Sequence, residues 1–166
     1  MKKLSRIVLV AYLLVLLWLL LFKLASDPFS VLAQYQTRSL NLIPFAGTSK
    51  ENLYQIIYNI IAFAPFGLLL SVNLKVTNFW RKLTYICALS FAVEITQYIF
   101  AIGRTDITDV ITNTLGGLIG LLFYKACNKY IEEQKLDRII VIVSAVLLIL
   151  FILLRTLLFR VRYQAH

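Results

Sequence analysis

Polar residues in this chain fall into short clusters separated by five long apolar runs, Ile7–Phe22, Leu53–Val72, Leu83–Ile102, about Ile107–Tyr124 and Ile139–Phe159. A helix rising 1.5 Å per residue needs about 20 apolar residues to cross about 30 Å of hydrocarbon, so each run predicts a membrane-spanning helix. The first and fourth are short, which snorkelling of Lys23 and the polar turn before Ile107 would offset. The expected fold is an all-α polytopic membrane bundle of about five transmembrane helices, formed by a single domain over residues 1–166. Lys2, Lys3 and Arg6 ahead of an apolar run also fit a signal peptide, but the run is long and no small-residue cleavage site follows it closely. A retained anchor helix is the expectation.

The central runs are interrupted at regular intervals. Asn52, Gln55 and Asn59 stand at offsets 0, 3 and 7; Cys87, Ser90, Glu94 and Gln97 at 0, 3, 7 and 10; Asp106, Asp109, Asn113, Gly116 and Gly120 at 0, 3, 7, 10 and 14. Each set is one face of a helix. Three polar or small faces on adjacent membrane helices are expected to meet inside the bundle, with Asn41, Asn59, Glu94, Gln97, Arg104, Asp106, Asp109 and Asn113 as the binding cluster. Structural readings stand beside this one. Gln55 can be interhelical glue, Gly116, Gly117 and Gly120 a packing face, and Asp106 and Asp109 caps of the fourth helix. Pro65 is expected to kink the second helix.

Glu94 carries the strongest functional expectation, because an ionisable group inside a membrane helix costs about 2.5–3.5 kcal/mol even on the mildest insertion scale. It lies eight residues before the predicted end of its run, roughly 12 Å down. Protonation, hydration or a cation would relieve that cost, and pairing with Arg104 is the preferred expectation.

Composition agrees with a lipid-solvated chain: 60% of the 166 residues are hydrophobic, 15% are charged and the mean hydropathy is +0.81. The formal charge of +9 therefore belongs to helix ends and lipid headgroups, and nucleic acid is excluded as a partner. Lys2, Lys3, Arg6, Lys75, Arg81, Lys82, Lys125, Lys129, Lys135 and Arg138 fall on one side of the predicted topology. Lys23, Arg38, Lys50, Arg104, Arg155, Arg160 and Arg162 fall on the other. This bias places the N-terminus in the cytoplasm and the polar cluster toward the outer face of the cell membrane; the Arg-rich C-terminus dissents. Cys87 and Cys127 have no metal-type spacing and the one histidine is the last residue, so no metal or cofactor is expected.

Several pieces of the chain resemble the VanZ-like family. They are Asn41-Leu42-Ile43-Pro44-Phe45, Asn59, the run Phe63-Ala64-Pro65-Phe66-Gly67, Glu94 with Gln97, and the run from Gly103-Arg104-Thr105-Asp106 through Asp109 and Asn113 to Gly116-Gly117. The motifs cover about residues 41–120, leaving the end helices 7–22 and 139–159 as flanking scaffold facing lipid. That family takes its name from a teicoplanin-resistance membrane protein. The resemblance implies a bacterial cell-envelope protein that lowers sensitivity to teicoplanin-type lipoglycopeptide antibiotics, and it supplies no mechanism.

Three functions fit these residues. The first is a non-enzymatic envelope factor whose outward polar pocket binds an amphiphile, with membrane lipids, a lipid-linked envelope precursor or a lipophilic glycopeptide as partners. Tyr54, Tyr58, Tyr98 and Phe100 suit such a ligand. The alternative is an intramembrane enzyme acting on a lipid-linked substrate through Glu94, Asp106 and Asp109, with Arg104 gripping phosphate. No nucleophile motif accompanies those carboxylates, so catalysis ranks second. A proton-coupled carrier ranks last, since five spans without a repeat are few for one.

Overall fold

In the computed structural model of the chain the described residues are 1–22, 38–46, 50–102 and 104–164, with the backbone alone described at 50–52, 104 and 158–164. Five helices, α1 (Lys2–Phe22), α2 (Lys50–Asn73), α3 (Phe79–Phe100), α4 (Ile107–Cys127) and α5 (Glu133–Gln164), account for most of them. All five are long and apolar enough to cross a membrane. The fold is an all-α membrane bundle.

Helix bounds differ from the hydropathy pattern where polar residues belong to a helix rather than to a loop. α3 begins four residues early because the Asn78 side chain caps it, accepting the Arg81 N–H at 2.8 Å. Its far end stops at a left-handed Ala101 (φ 53°), whose N–H bonds the Gln97 and Tyr98 carbonyls. α5 gains the charged turn from Glu133 to Arg138, and α1 starts at Lys2. α2 runs unbroken through Pro65.

α2 and α4 run parallel and make the most extensive contact in the bundle. Their backbones touch through glycine. A Cβ on Gly116 would lie 2.8 Å from the Ile60 Cα, and a Cβ on Gly120 or Gly67 would overlap the Ala64 or Gly117 carbonyl. Membrane helices gain nothing from apolar burial against each other, so close backbone approach supplies the dispersion contact instead. α3 packs on α4, and α1 lies on α2 and α3. Leu16 and Leu20 of α1 join Phe63, Phe66, Ile86, Val93 and Leu121 in the central apolar core. The Tyr12 hydroxyl also donates to the Ala62 carbonyl at 2.8 Å. α1 is therefore part of the core, which corrects the expectation of a lipid-facing end helix. α5 matches that expectation better, with most of its middle exposed and Leu136, Ile140 and Val141 buried.

Two three-residue strands, unforeseen from the sequence, tie the loop before α2 to the turn before α4. β1 (Ser39–Asn41) pairs in parallel with β2 (Arg104–Asp106), Asn41 opposite Asp106. At the opposite end of the bundle Lys75 joins the α2–α3 loop to α4 and α5. Its Nζ lies 2.8 Å from Glu133 and 2.7 Å from Asp137, and it donates to the Tyr124 hydroxyl, which donates to Asp137 at 2.8 Å. Burial disfavours the ammonium, but the hydrogen bonds to Asp137 and Glu133 outweigh it and hold the Lys75 pKa above the ordinary 10.5. A raised lysine pKa stabilises the fold fully below the unfolded value and loses that contribution as pH rises through the folded one. Lys75→Met should lower the melting temperature by a few degrees at neutral pH. The gap from wild type should stay constant from neutral pH up to pH 10.5 and close above it. A gap that closes between neutral pH and pH 10.5 would contradict the clamp.

Candidate functional site

The polar faces of α2, α3 and α4 converge at the end of the bundle opposite the N-terminus of α1. Asp109, in the first turn of α4, is the hub. Its carboxylate accepts from Gln55 Nε2 at 2.7 and 3.0 Å and from Asn59 Nδ2 at 2.9 Å, and Asn59 Nδ2 also donates to Thr112 Oγ1 at 3.1 Å. Charge-assisted bonds from two α2 amides to an α4 carboxylate lock the register of the parallel pair. Gln55, expected as interhelical glue, is a member of this hub.

Asp106 caps α4. One oxygen accepts the Thr108 N–H at 2.9 Å, and the other accepts Asn41 Nδ2 at 2.9 Å. Asn41 Oδ1 in turn accepts the Ile43 N–H at 3.2 Å, and the Phe45 N–H donates to Thr108 Oγ1 at 3.0 Å. Asn41 and Asp106 thus fasten the 38–46 loop over the start of α4.

Glu94 lies six residues before the end of α3, about 9 Å along its axis, because the helix ends earlier than its apolar run. Its Oε2 accepts the Asp106 N–H at 2.9 Å, and the Thr105 hydroxyl donates to its carbonyl at 3.3 Å. The expected Glu94–Arg104 pair falls outside the description, since only the backbone of Arg104 is described. Gln97 Nε2 donates to the Leu20 carbonyl of α1 at 2.9 Å, and Asn113 Nδ2 donates to Ser90 Oγ at 2.8 Å. The Gln97 and Asn113 amide oxygens are buried with no hydrogen-bond partner among the described residues. Among the described residues no three His, Cys, Asp or Glu side chains converge as a metal-holding group.

A cavity of about 490 Å³ opens among α1, α2, α3 and α4. Gln55, Asn59, Glu94, Gln97, Asp109 and Asn113 form its polar wall. Leu19, Leu20, Ile57, Tyr58, Ile61 and Val93 line the rest, with the exposed Tyr54, Ile57 and Ile61 at the rim. An apolar second cavity of about 210 Å³ lies between the loop before α2 and helices α3 and α4, and Glu94 lines both. Of the eight residues expected to cluster, five line the larger cavity. Asn41 and Asp106 brace the loop beside it, and the Arg104 side chain lies outside the description. The part that α1 plays, through Leu19, Leu20 and a backbone carbonyl, had no polar signal to reveal it.

A family profile described as VanZ/LLP1 matches residues 9–128. Protein VanZ of Enterococcus faecium is 51% identical over 155 residues, an alignment that covers 93% of this chain and 94% of that protein. No solved structure matches. The matched stretch spans α1 to α4, the helices that enclose the cavity. With the family profile covering most of its length and a near full-length relative at this identity, the chain belongs to the VanZ/LLP1 family and is a multi-pass membrane protein.

Proposed function

We propose that this protein is a bacterial envelope factor that lowers sensitivity to teicoplanin-type lipoglycopeptides by holding an amphiphile in the cavity among α1 to α4. The observation that carries the reading is the cavity's two-sided lining, a polar wall of amides and carboxylates facing a rim of exposed Tyr54, Ile57 and Ile61. Ligand sites are commonly about 300–1,000 Å³, mostly apolar, with a few placed polar groups, and this cavity has that character. A lipid-linked envelope precursor and the acylated antibiotic share the required chemistry, a polar head on a hydrocarbon chain. The VanZ-like resemblance supports glycopeptide tolerance as the phenotype, and the cavity is our reading of how it arises. The excess of Lys and Arg at the end holding Lys2, Lys75 and Lys125 supports a cytoplasmic location for that end and an outward-facing cavity, on the side where these antibiotics act.

Expression in a sensitive host is the test. The wild-type chain should raise the inhibitory concentration of teicoplanin, with a smaller effect on a glycopeptide lacking the acyl chain. Glu94→Ala, at equal membrane abundance, should abolish the gain. Full protection by Glu94→Ala would separate the cavity from the phenotype and sink the reading.

A further inference from the structure

A further cavity lies at the end of the bundle opposite the one just discussed. It encloses about 430 Å³ between the first turns of α1, the end of α2 with the loop that follows it, and α5. α1 contributes Lys2, Ser5 and Arg6, the α2–α3 loop contributes Lys75, and α5 contributes Asp137 and Val141. Lys2 and Arg6 are four residues apart and share a face of α1, whereas Lys3 lies off that face and does not line the cavity. The walls are fastened together. The Ser5 hydroxyl donates to the Lys2 carbonyl at 3.0 Å, and Asn73 Nδ2 donates to the Leu69 carbonyl at 2.8 Å and across to the Ser5 carbonyl of α1 at 3.3 Å.

The charges lining this cavity do not cancel. Its carboxylate, Asp137, is taken up by Lys75 at 2.7 Å and by the Tyr124 hydroxyl at 2.8 Å, and Lys75 is also 2.8 Å from Glu133. Lys2 and Arg6 form no ion pair among the described residues. The first turn of α1 holds no acidic residue, and the ten Lys and Arg of this end are set against Glu132, Glu133 and Asp137 alone. A phosphate diester carries one negative charge on two free oxygens, which suits the Arg6 fork and the Lys2 ammonium together. The cavity is not polar throughout, since Val72 and Val141, 7% and 0% exposed, are in its wall. Close by in sequence, Leu4 and Ile7 of α1 and Ile142 and Val143 of α5 are exposed on two membrane-spanning helices. An anion that carries hydrocarbon chains matches both the cations and this apolar surface, whereas a free phosphate matches the cations alone. A zwitterionic head brings an ammonium that Lys2 and Arg6 repel.

We propose that this cavity is a binding site for an anionic phospholipid, with Lys2 and Arg6 holding the phosphate and the acyl chains lying along α1 and α5. Basic pockets between membrane helices hold phospholipid heads in this way. The site is separate from the cavity among α1 to α4 and does not rest on the function proposed for it. The bound head would join α1 to the α2–α3 loop and α5 in the leaflet at that end of the bundle.

Native mass spectrometry of the full chain, offered phosphatidylglycerol and phosphatidylcholine with the same acyl chains in equal amounts, tests this. A basic residue beside an anionic head is worth about fivefold in affinity, so two of them should favour the first phosphatidylglycerol bound by at least about tenfold. Arg6→Gln should lower that preference about fivefold, whereas Lys3→Gln, the same loss of charge on the same helix but outside the cavity, should leave it unchanged. Each variant is first shown to elute as a single species, and the wild-type preference is read without any variant. Glycerol phosphate in excess supplies the head without the chains, and phosphatidylglycerol should stay bound in its presence. Equal binding of the two lipids by the wild type overturns the proposal. So does an equal fall in Arg6→Gln and Lys3→Gln, which would mean diffuse surface charge, or no fall in Arg6→Gln. Displacement of the lipid by glycerol phosphate would mark a site for soluble phosphate and overturn the lipid assignment.

Discussion

Gly120→Leu should abolish accumulation of the folded protein in the membrane. Gly120 sits where α4 crosses α2, and even a Cβ there would overlap the Ala64 carbonyl. The Ala64 carbonyl and the Leu68 nitrogen that it would meet are helix backbone, so no rotamer change can absorb the clash. Overpacking a well-fitted core by flexible side chains costs about 1–3 kcal/mol, and a clash of a side chain with fixed helix backbone lies at or beyond the top of that range. The same crossing contains Gly116 against Ile60 and Gly67 against Gly117, so moving α4 away to admit one side chain would open the whole contact. Fluorescence size-exclusion of detergent extracts is the check. The expected trace for Gly120→Leu is aggregate with no monodisperse peak, whereas Leu122→Ala, at an exposed position on the same helix, should elute as wild type. A monodisperse Gly120→Leu would show that α2 and α4 do not meet there.

The second large effect is expected at Asp109. Removing its carboxylate in Asp109→Ala strands the Gln55 and Asn59 amides, which make three contacts with it between 2.7 and 3.0 Å. At about 1–3 kcal/mol for each of the two donors left unsatisfied, the loss is on the order of 2–6 kcal/mol. Asp109→Asn keeps the shape but turns an amide nitrogen toward other nitrogens, so it should lose nearly as much. Thermal unfolding in detergent should show both variants well below wild type, and Gln55→Glu should be damaging too by setting two carboxylates together. A melting temperature unchanged by Asp109→Ala would mean that the amides find other partners and that Asp109 is not the hub of the α2–α4 contact.

How much of this was legible without coordinates depended on whether a residue broke the local pattern. Asn59, Glu94, Gln97, Asp109 and Asn113 stood out because a polar side chain at helical spacing inside an apolar run has a single face to occupy. The structure places all five on the wall of one cavity. Gln55 gives the same signal, and it both ties α2 to Asp109 and lines the cavity. The β1–β2 pairing was invisible, because three residues carry no period and the partners lie 65 positions apart, Asn41 against Asp106. α1 was underestimated for the opposite reason. Its run is apolar all round, so nothing in it separates Leu16 and Leu20, buried in the core, from the exposed Leu14. Its polar contact beside the cavity is the Leu20 backbone carbonyl, a group that every residue has. The α3 start was misplaced because Arg81 and Lys82 ended the hydropathy signal, whereas the helix is set by the Asn78 cap before them.

The proposed function requires the polar end of the bundle to face outward. Single cysteines at opposite ends test this directly, in a background with Cys87 and Cys127 replaced by alanine. Ile43→Cys lies in the exposed loop beside the cavity and Val76→Cys in the exposed α2–α3 loop. In intact cells a membrane-impermeant maleimide should label Ile43→Cys at once and Val76→Cys only after permeabilisation. The reverse pattern would place the cavity on the cytoplasmic side and contradict its proposed role against antibiotics that act outside.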